Sequence, residues 1–82
     1  MKYKIEFKPR AAKDLRSINR DDARRILAKI RAMENDLAGN VKHLTEFEPQ
    51  YRLRVGNYRV LFNIENDYII IYCIKHRREA YS

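Results

Sequence analysis

A chain of 82 residues suffices for one domain around a single two-layer core and is too short for a second domain or a separate cofactor-binding module. Lysine and arginine number 18 against 11 aspartates and glutamates, a net charge of +7, while 45% of the residues are apolar, which describes a folded basic protein rather than a disordered basic tail. The single cysteine, Cys73, excludes an intramolecular disulfide, and with only two histidines it leaves no zinc-type ligand set at usable spacing, so neither a disulfide nor zinc is expected to hold the fold. The excess of positive charge points to a polyanionic partner such as RNA, DNA or a ribosome without choosing among them. The amino terminus, MKYKIEFKPR, carries no apolar signal-type region, and the longest apolar stretch, Tyr68 to Ile74, is far short of a membrane span; a cytoplasmic protein with no membrane partner is expected. Cys73 itself reads as a small buried hydrophobe.

In chain order, Tyr3, Ile5 and Phe7 alternate with Lys2, Lys4 and Glu6, the period of a half-buried strand, and Pro9 follows where a helix would have its first residue. Ala11, Leu15 and Ile18 recur at helical spacing, which predicts a short amphipathic helix from Pro9 to Ile18. Asn19 ends it and can cap the next helix, because Asp21 and Asp22 fall in that helix's first turn, where carboxylates favour the positive end of the dipole. Ala23, Ile26, Leu27, Ile30, Met33 and Leu37 then make a continuous apolar stripe, with Gly39 supplying the stop. Asn40, Val41, Lys42 and His43 read as a polar connection. Beyond it the period changes to two: Tyr51 to Val55, Tyr58 to Glu65 and Tyr68 to Lys75 are strand-like runs joined by Gly56-Asn57 and Asn66-Asp67, an antiparallel meander. The expected architecture is α+β: an N-terminal strand and two helices packed on a small antiparallel sheet, βαα followed by the meander, with residues 1–82 forming one domain.

A two-residue turn at Gly56-Asn57 sets Arg54 against Arg59, Arg52 against Leu61, and Leu53 and Tyr51 against Val60 and Phe62 on the opposite, helix-facing side. Like charges directly opposed on a sheet destabilise it by up to about 1 kcal/mol per pair, so Arg52, Arg54 and Arg59 on one outer face suggest a site for phosphate, whose oxygens accept paired guanidinium hydrogen bonds. The alternative is an arginine-rich face that merely keeps the sheet soluble. The same parity through the second hairpin places Ile70, Tyr72 and Ile74 on the outer face and Ile74 opposite Arg59, so that face is expected to be partly covered. Directly after the last strand comes Lys75-His76-Arg77-Arg78-Glu79-Ala80-Tyr81-Ser82. It combines an imidazole, guanidiniums, a carboxylate and a phenol. Metal-free RNA cleavage needs such a set: a base for the 2′-hydroxyl, cations for the pentacovalent phosphate and an acid for the leaving 5′-oxygen. Cations near His76 disfavour its protonated form, and cations near Tyr81 favour its phenolate. A frayed basic tail is the competing reading.

The strand-helix-helix opening, the segment Tyr51-Arg52-Leu53-Arg54-Val55-Gly56-Asn57-Tyr58-Arg59-Val60 and the terminal His76-Arg77-Arg78-Glu79-Ala80-Tyr81 together resemble the RelE/ParE superfamily of bacterial toxins, and the carboxyl half is similar to its RNA-cleaving RelE branch. The resemblance spans nearly the whole chain. It implies a toxin of a type II toxin-antitoxin system that enters the ribosomal A site and cleaves mRNA without metal or cofactor, leaving a 2′,3′-cyclic phosphate or its opened 3′-phosphate and a 5′-hydroxyl. It also implies a cognate antitoxin that wraps the toxin, which would account for apolar residues on the outer face. By the same resemblance, Arg52 and Arg54 hold the RNA backbone, Arg59 stabilises the reacting phosphate, Tyr81 stacks on a base, His76 acts as acid or base, and Arg77, with Arg78, helps hold phosphate. Some relatives carry lysines where this chain has Arg52 and Arg54. Arginine stays charged and is a poor proton donor, which moves proton transfer toward His76 and Tyr81. Glu46 and Glu48 are candidate bases or solvated loop carboxylates, and His43 is unassigned. Two other readings remain: the ParE branch, which shares the fold and inhibits DNA gyrase without cleaving RNA, and an RNA- or ribosome-binding module without chemistry, in which outer-face aromatics stack on bases.

Overall fold

The computed structural model describes residues 2–44 and 48–80, with backbone alone for Glu79 and Ala80. Strand β1 (Lys4–Phe7) leads into α1 (Pro9–Ser17) and α2 (Arg20–Asp36), followed by β2 (Asn40–His43), β3 (Tyr51–Val55), β4 (Tyr58–Glu65), β5 (Tyr68–His76) and a short α3 (Arg77–Ala80). The strands form one five-stranded sheet in the order β1-β5-β4-β3-β2. Two helices therefore pack on a sheet as expected, but the sheet is mixed, because β1 runs parallel to β5 while every other pair is antiparallel. Alternation along β1 reports which residues are buried and carries no information about strand direction.

Local chemistry sets the helix ends. Pro9 occupies the first turn of α1, where its missing N–H costs nothing, and the preceding Lys8 is extended. Asn19 caps α2 through its Oδ1, which accepts from the Asp22 amide at 2.9 Å, while its Nδ2 donates to Asp22 Oδ2 at 2.7 Å. The far end of α2 differs from expectation: the helix stops at Asp36, and Leu37 takes the left-handed conformation at φ 58°. Gly39 lies in the connection beyond, at φ 113°, where an added Cβ would stand 3.1 Å from Leu53 Cδ1.

The core lies between the two layers. Ala11 from α1 and Ile26, Ile30 and Met33 from α2 meet Leu53, Val55, Val60, Phe62, Ile69, Ile71 and Ile74 from the sheet. Each fully buried side chain of this size stabilises by about 1.5–3 kcal/mol relative to exposure. The first hairpin adopts the expected register, with Arg54 opposite Arg59, Arg52 opposite Leu61, Leu53 opposite Val60 and Tyr51 opposite Phe62. The second does not keep its register throughout. Phe62 faces Ile71 and Leu61 faces Cys73, so Tyr72 is an extra residue in β5, a β-bulge. The bulge reverses the parity of everything after it: Ile74 turns into the core at 5% exposure, and Lys75 rather than Ile74 stands opposite Arg59. Of the apolar residues expected on the outer face, Ile70 remains there, opposite Asn63 and 8% exposed.

The segment read as a polar connection contains strand β2, paired with β3. On the inner side His43 meets Tyr51 edge-on at 4.9 Å between ring centroids, and Tyr51 stacks on Phe62 at 5.5 Å, which gives His43 a packing role. Where β1 ends, the Asp14 carboxylate of α1 takes over the sheet edge: its Oδ2 accepts from the Ile74 amide at 2.9 Å. No helix among the described residues is long and apolar enough to cross a membrane.

Candidate functional site

Directly opposed residues share a face, so the registers define rows across the outer side of the sheet. The row beside the Gly56-Asn57 turn contains Asn40, Arg54, Arg59 and Lys75; the next contains Lys42, Arg52, Leu61 and Cys73. Lys42, Arg52, Arg54, Arg59 and Lys75 thus lie together at one end of the face. Glu6 and Glu65 stand at the other end beside Lys4, and Glu48 is held there by Asn63, whose Nδ2 donates to its Oε1 at 2.8 Å. Asn63 is four residues from Arg59, about 13 Å along a strand, which removes Glu48 from the arginine cluster.

Arg59 stands at the centre of the cationic end and is only 6% exposed. Its Nη1 donates to the carbonyls of Gly56 and Tyr58, each at 3.1 Å, so the hairpin turn anchors the guanidinium. Among the described residues, its Nε, like that of the half-buried Arg52, has no hydrogen-bond partner. The one ion pair among the described residues is Arg10 with Asp14, far along the chain from this cluster. An unsatisfied buried donor costs about 1–3 kcal/mol, and here it adds to repulsion from Arg54 and Lys75. A bound oxyanion would relieve both, because its oxygens would accept from Nε while its charge offset the cations.

The terminal segment divides between the two faces. Arg77 and Arg78 are exposed at the start of α3, and the Arg77 amide donates to Asn57 O at 2.7 Å, fastening the segment to the same turn that holds Arg59. His76, one residue past Lys75, pairs with Tyr58 and so faces the helices, the opposite side of the sheet from the arginines. The histidine therefore does not join the arginine cluster, and the cause is again the bulge. Its Nδ1 accepts from the Arg78 amide at 3.3 Å, leaving Nε2 as the ring nitrogen available to other groups. The ring meets Tyr58 edge-on at 5.4 Å. Burial pushes the Tyr58 phenol above its ordinary range, and the charge of Asp22 and a hydrogen bond to its carboxylate add to the effect. Tyr81 and Glu46 lie outside the described residues.

Two cations of this face escaped sequence reading. The bulge sets Lys75 opposite Arg59, where a regular register would set Ile74, and Lys42 lies in a segment too short and polar to read as a strand. The lysine-arginine alternation across Lys42, Arg52 and Arg54 was a usable signal only with β2 in place. Cys73, expected to be a small buried hydrophobe, is half-buried on the outer face; burial raises its thiol pKa, Lys75 opposes that shift, Asp14 adds to it and Arg10 opposes it.

Two helices on a five-stranded sheet with a cationic outer face define the RelE-like α+β class. The family model for the ParE toxin of type II toxin-antitoxin systems matches residues 5–81. A relative named Toxin RelE3, from Methanocaldococcus jannaschii, is 31% identical over 84 residues, covering 96% of each chain. Among solved structures, the chain is similar to the RelB-RelE antitoxin-toxin complex of Methanococcus jannaschii at TM-score 0.78 and 29% identity, covering 93% of this chain and 94% of that one. It is likewise similar to the archaeal RelE-RelB complex of Pyrococcus horikoshii OT3 at TM-score 0.76 and 26% identity, covering 96% and 99%. The chain belongs to the RelE/ParE superfamily, and it is a toxin of the type II toxin-antitoxin kind.

Proposed function

We propose that this toxin is an endoribonuclease that cuts messenger RNA in the ribosomal A site, using its own side chains and no metal, and that a cognate antitoxin of the RelB kind restrains it. The observation that carries the reading is Arg59: a guanidinium buried to 6% exposure, anchored by the turn, flanked by Arg54 and Lys75, with an Nε that no described residue pairs. Two hydrogen bonds to the turn hold the guanidinium in place, but the opposed cations and the unpaired Nε are conflicts that a phosphate gaining charge in a transition state would relieve. In the reaction the 2′-oxygen bonds to phosphorus as its proton passes to a base, and the bond to the 5′-oxygen breaks as that oxygen takes a proton. The products are a 2′,3′-cyclic phosphate and a 5′-hydroxyl. Arg59 and Arg54 face the phosphorane, Arg52 holds the backbone beside it, and Arg77 and Arg78 hold phosphate where the chain leaves the sheet. His76 and Tyr81 are assigned the proton transfers; His76 reaches the reacting atoms when RNA crosses the end of β5, because its ring lies on the helix side. An antitoxin lying on the outer face would cover Leu61 and Ile70.

The test is to map RNA ends by primer extension on a message held on translating ribosomes, with the wild-type chain, Arg59→Ala and a His76→Ala, Tyr81→Phe variant. Cuts at codon positions, lowered about 10²–10³-fold by Arg59→Ala, are the expected result. An intact message beside a chain still toxic in cells overturns the reading. The match to the ParE family model favours a second reading, gyrase inhibition without RNA cleavage, in which the cationic face is a recognition surface; a supercoiling assay on the same variants separates the two.

A further inference from the structure

On the helix side of the sheet, where β1 has ended and β5 continues with one edge open, a groove of about 400 Å³ opens between α1, the α1–α2 link and the end of β5. Its volume falls in the range of small-ligand sites. Arg10, Asp14, Ser17, Asn19, Tyr58 and His76 line it. Three features limit what it can hold. First, its charges are already matched: Arg10 Nε stands 3.3 Å from Asp14 Oδ1, and Asp14 Oδ2 is taken by the Ile74 amide, so the groove is close to neutral and poorly suited to phosphate. Second, its wall mixes hydrogen-bond donors and acceptors with two aromatic rings, the edge-to-face pair of Tyr58 and His76, and Arg78's amide leaves His76 Nε2 free. Third, consecutive residues of β5 point to opposite faces, so Lys75 lies with Arg59 on the phosphate side while His76 lies in the groove.

We propose that this groove is a nucleobase subsite, taking an unstacked base of single-stranded RNA next to the phosphate held by Arg59. The inference rests on the ribonuclease reading for its setting and deepens it by assigning a place for base recognition apart from the arginine face. A nucleobase is a neutral, planar ligand with donors and acceptors on its edge, the combination the groove matches, and single-stranded RNA is read through splayed bases that stack on aromatic side chains. RNA crossing the end of β5 presents its phosphate to Arg59, Arg54 and Lys75 and its base to Tyr58 and His76. Arg10 and Ser17 then contact the base edge and discriminate among bases.

The experiment is a titration of the purified chain with adenosine, guanosine, cytidine and uridine, followed by amide chemical shifts, with ribose 5-phosphate as the control for sugar and phosphate. The expected result is movement of the Ser17, Asn19, Ile74 and His76 amides, larger for one nucleoside than for the rest and absent with ribose 5-phosphate. Arg10→Ala and Ser17→Ala alter exposed positions that leave the core untouched, and they weaken the favoured nucleoside about tenfold or flatten the preference. Silence of those amides, or equal movement with ribose 5-phosphate, overturns the subsite. Cleavage of RNA without any nucleoside response at the groove overturns the subsite alone. Nucleoside binding there in a chain that cuts no RNA overturns the ribonuclease reading and leaves the subsite standing.

Discussion

Arg59 shows how a single residue can be worse for the fold than a simpler one. It lies in the sheet opposite Arg54 and Lys75 with an unsatisfied Nε, a set of conflicts that hydrophobic side chains would avoid. Arg59→Met is therefore expected to raise the unfolding free energy by about 1 kcal/mol in urea titrations while lowering RNA cleavage about 10²–10³-fold; clear destabilisation would show that the guanidinium is there to hold the turn. Cys73 gives a second residue-scale outcome. A thiol with a raised pKa is less ionised at any given pH, so Cys73 should alkylate with iodoacetamide at pH 8 more slowly in the folded chain than in the chain unfolded by guanidinium. For Tyr58 the raised pKa means that the fold prefers the neutral phenol. That contribution to stability is fully present below the unfolded value of 10.0 and is lost as the pH rises through the higher folded value. Tyr58→Phe should remove the latest-titrating component of the phenolate absorbance and make stability fall less steeply above pH 10.0.

At the scale of elements, β5 decides the most. Its first part is buttressed by parallel β1, and its last part, beyond the Tyr72 bulge, has an open edge that Asp14 occupies in place of a strand. The Ile74 amide would otherwise be a partly buried donor without an acceptor. Asp14→Ala is expected to cost about 1–3 kcal/mol and to speed hydrogen exchange at Ile74 well beyond that of core amides such as Phe62. Unchanged protection at Ile74 would show that another acceptor replaces the carboxylate. The helices were easier to read. Pro9, the Asn19 cap with Asp22, and the Ile26, Ile30 and Met33 stripe are local signals, and each appears in the structure where the spacing put it. Strand β2 was not legible, because four residues with one apolar side chain, Val41, make no pattern until β3 is beside them.

For the whole molecule, the outer face is charged asymmetrically, with Lys42, Arg52, Arg54, Arg59 and Lys75 at one end and Glu6, Glu65 and the tethered Glu48 at the other. A single strand neutralised by those cations releases counterions, giving a slope of log affinity against log salt of about −0.7 per phosphate contact. Lys42→Ala and Lys75→Ala should each lower the magnitude of that slope by about 0.7 in RNA-binding titrations, whereas Lys29→Ala, on the exposed side of α2, should leave it unchanged. Equal effects of all three would mean diffuse attraction to a basic protein rather than a defined face. The sequence by itself determined the two helices, the first hairpin with Arg54 against Arg59, and the family to which the chain belongs. These depend on periodicity, on turn residues and on motifs, all of which are local. Only the tertiary structure decided the parallel pairing of β1, the presence of β2, the bulge at Tyr72 and, through it, the placing of Lys75 beside Arg59 and of His76 on the opposite face. A one-residue bulge changes no composition and little pattern, yet it reverses the facing of every residue after it. It is favoured by burying Ile74 in a core that the strand's own sequence does not describe.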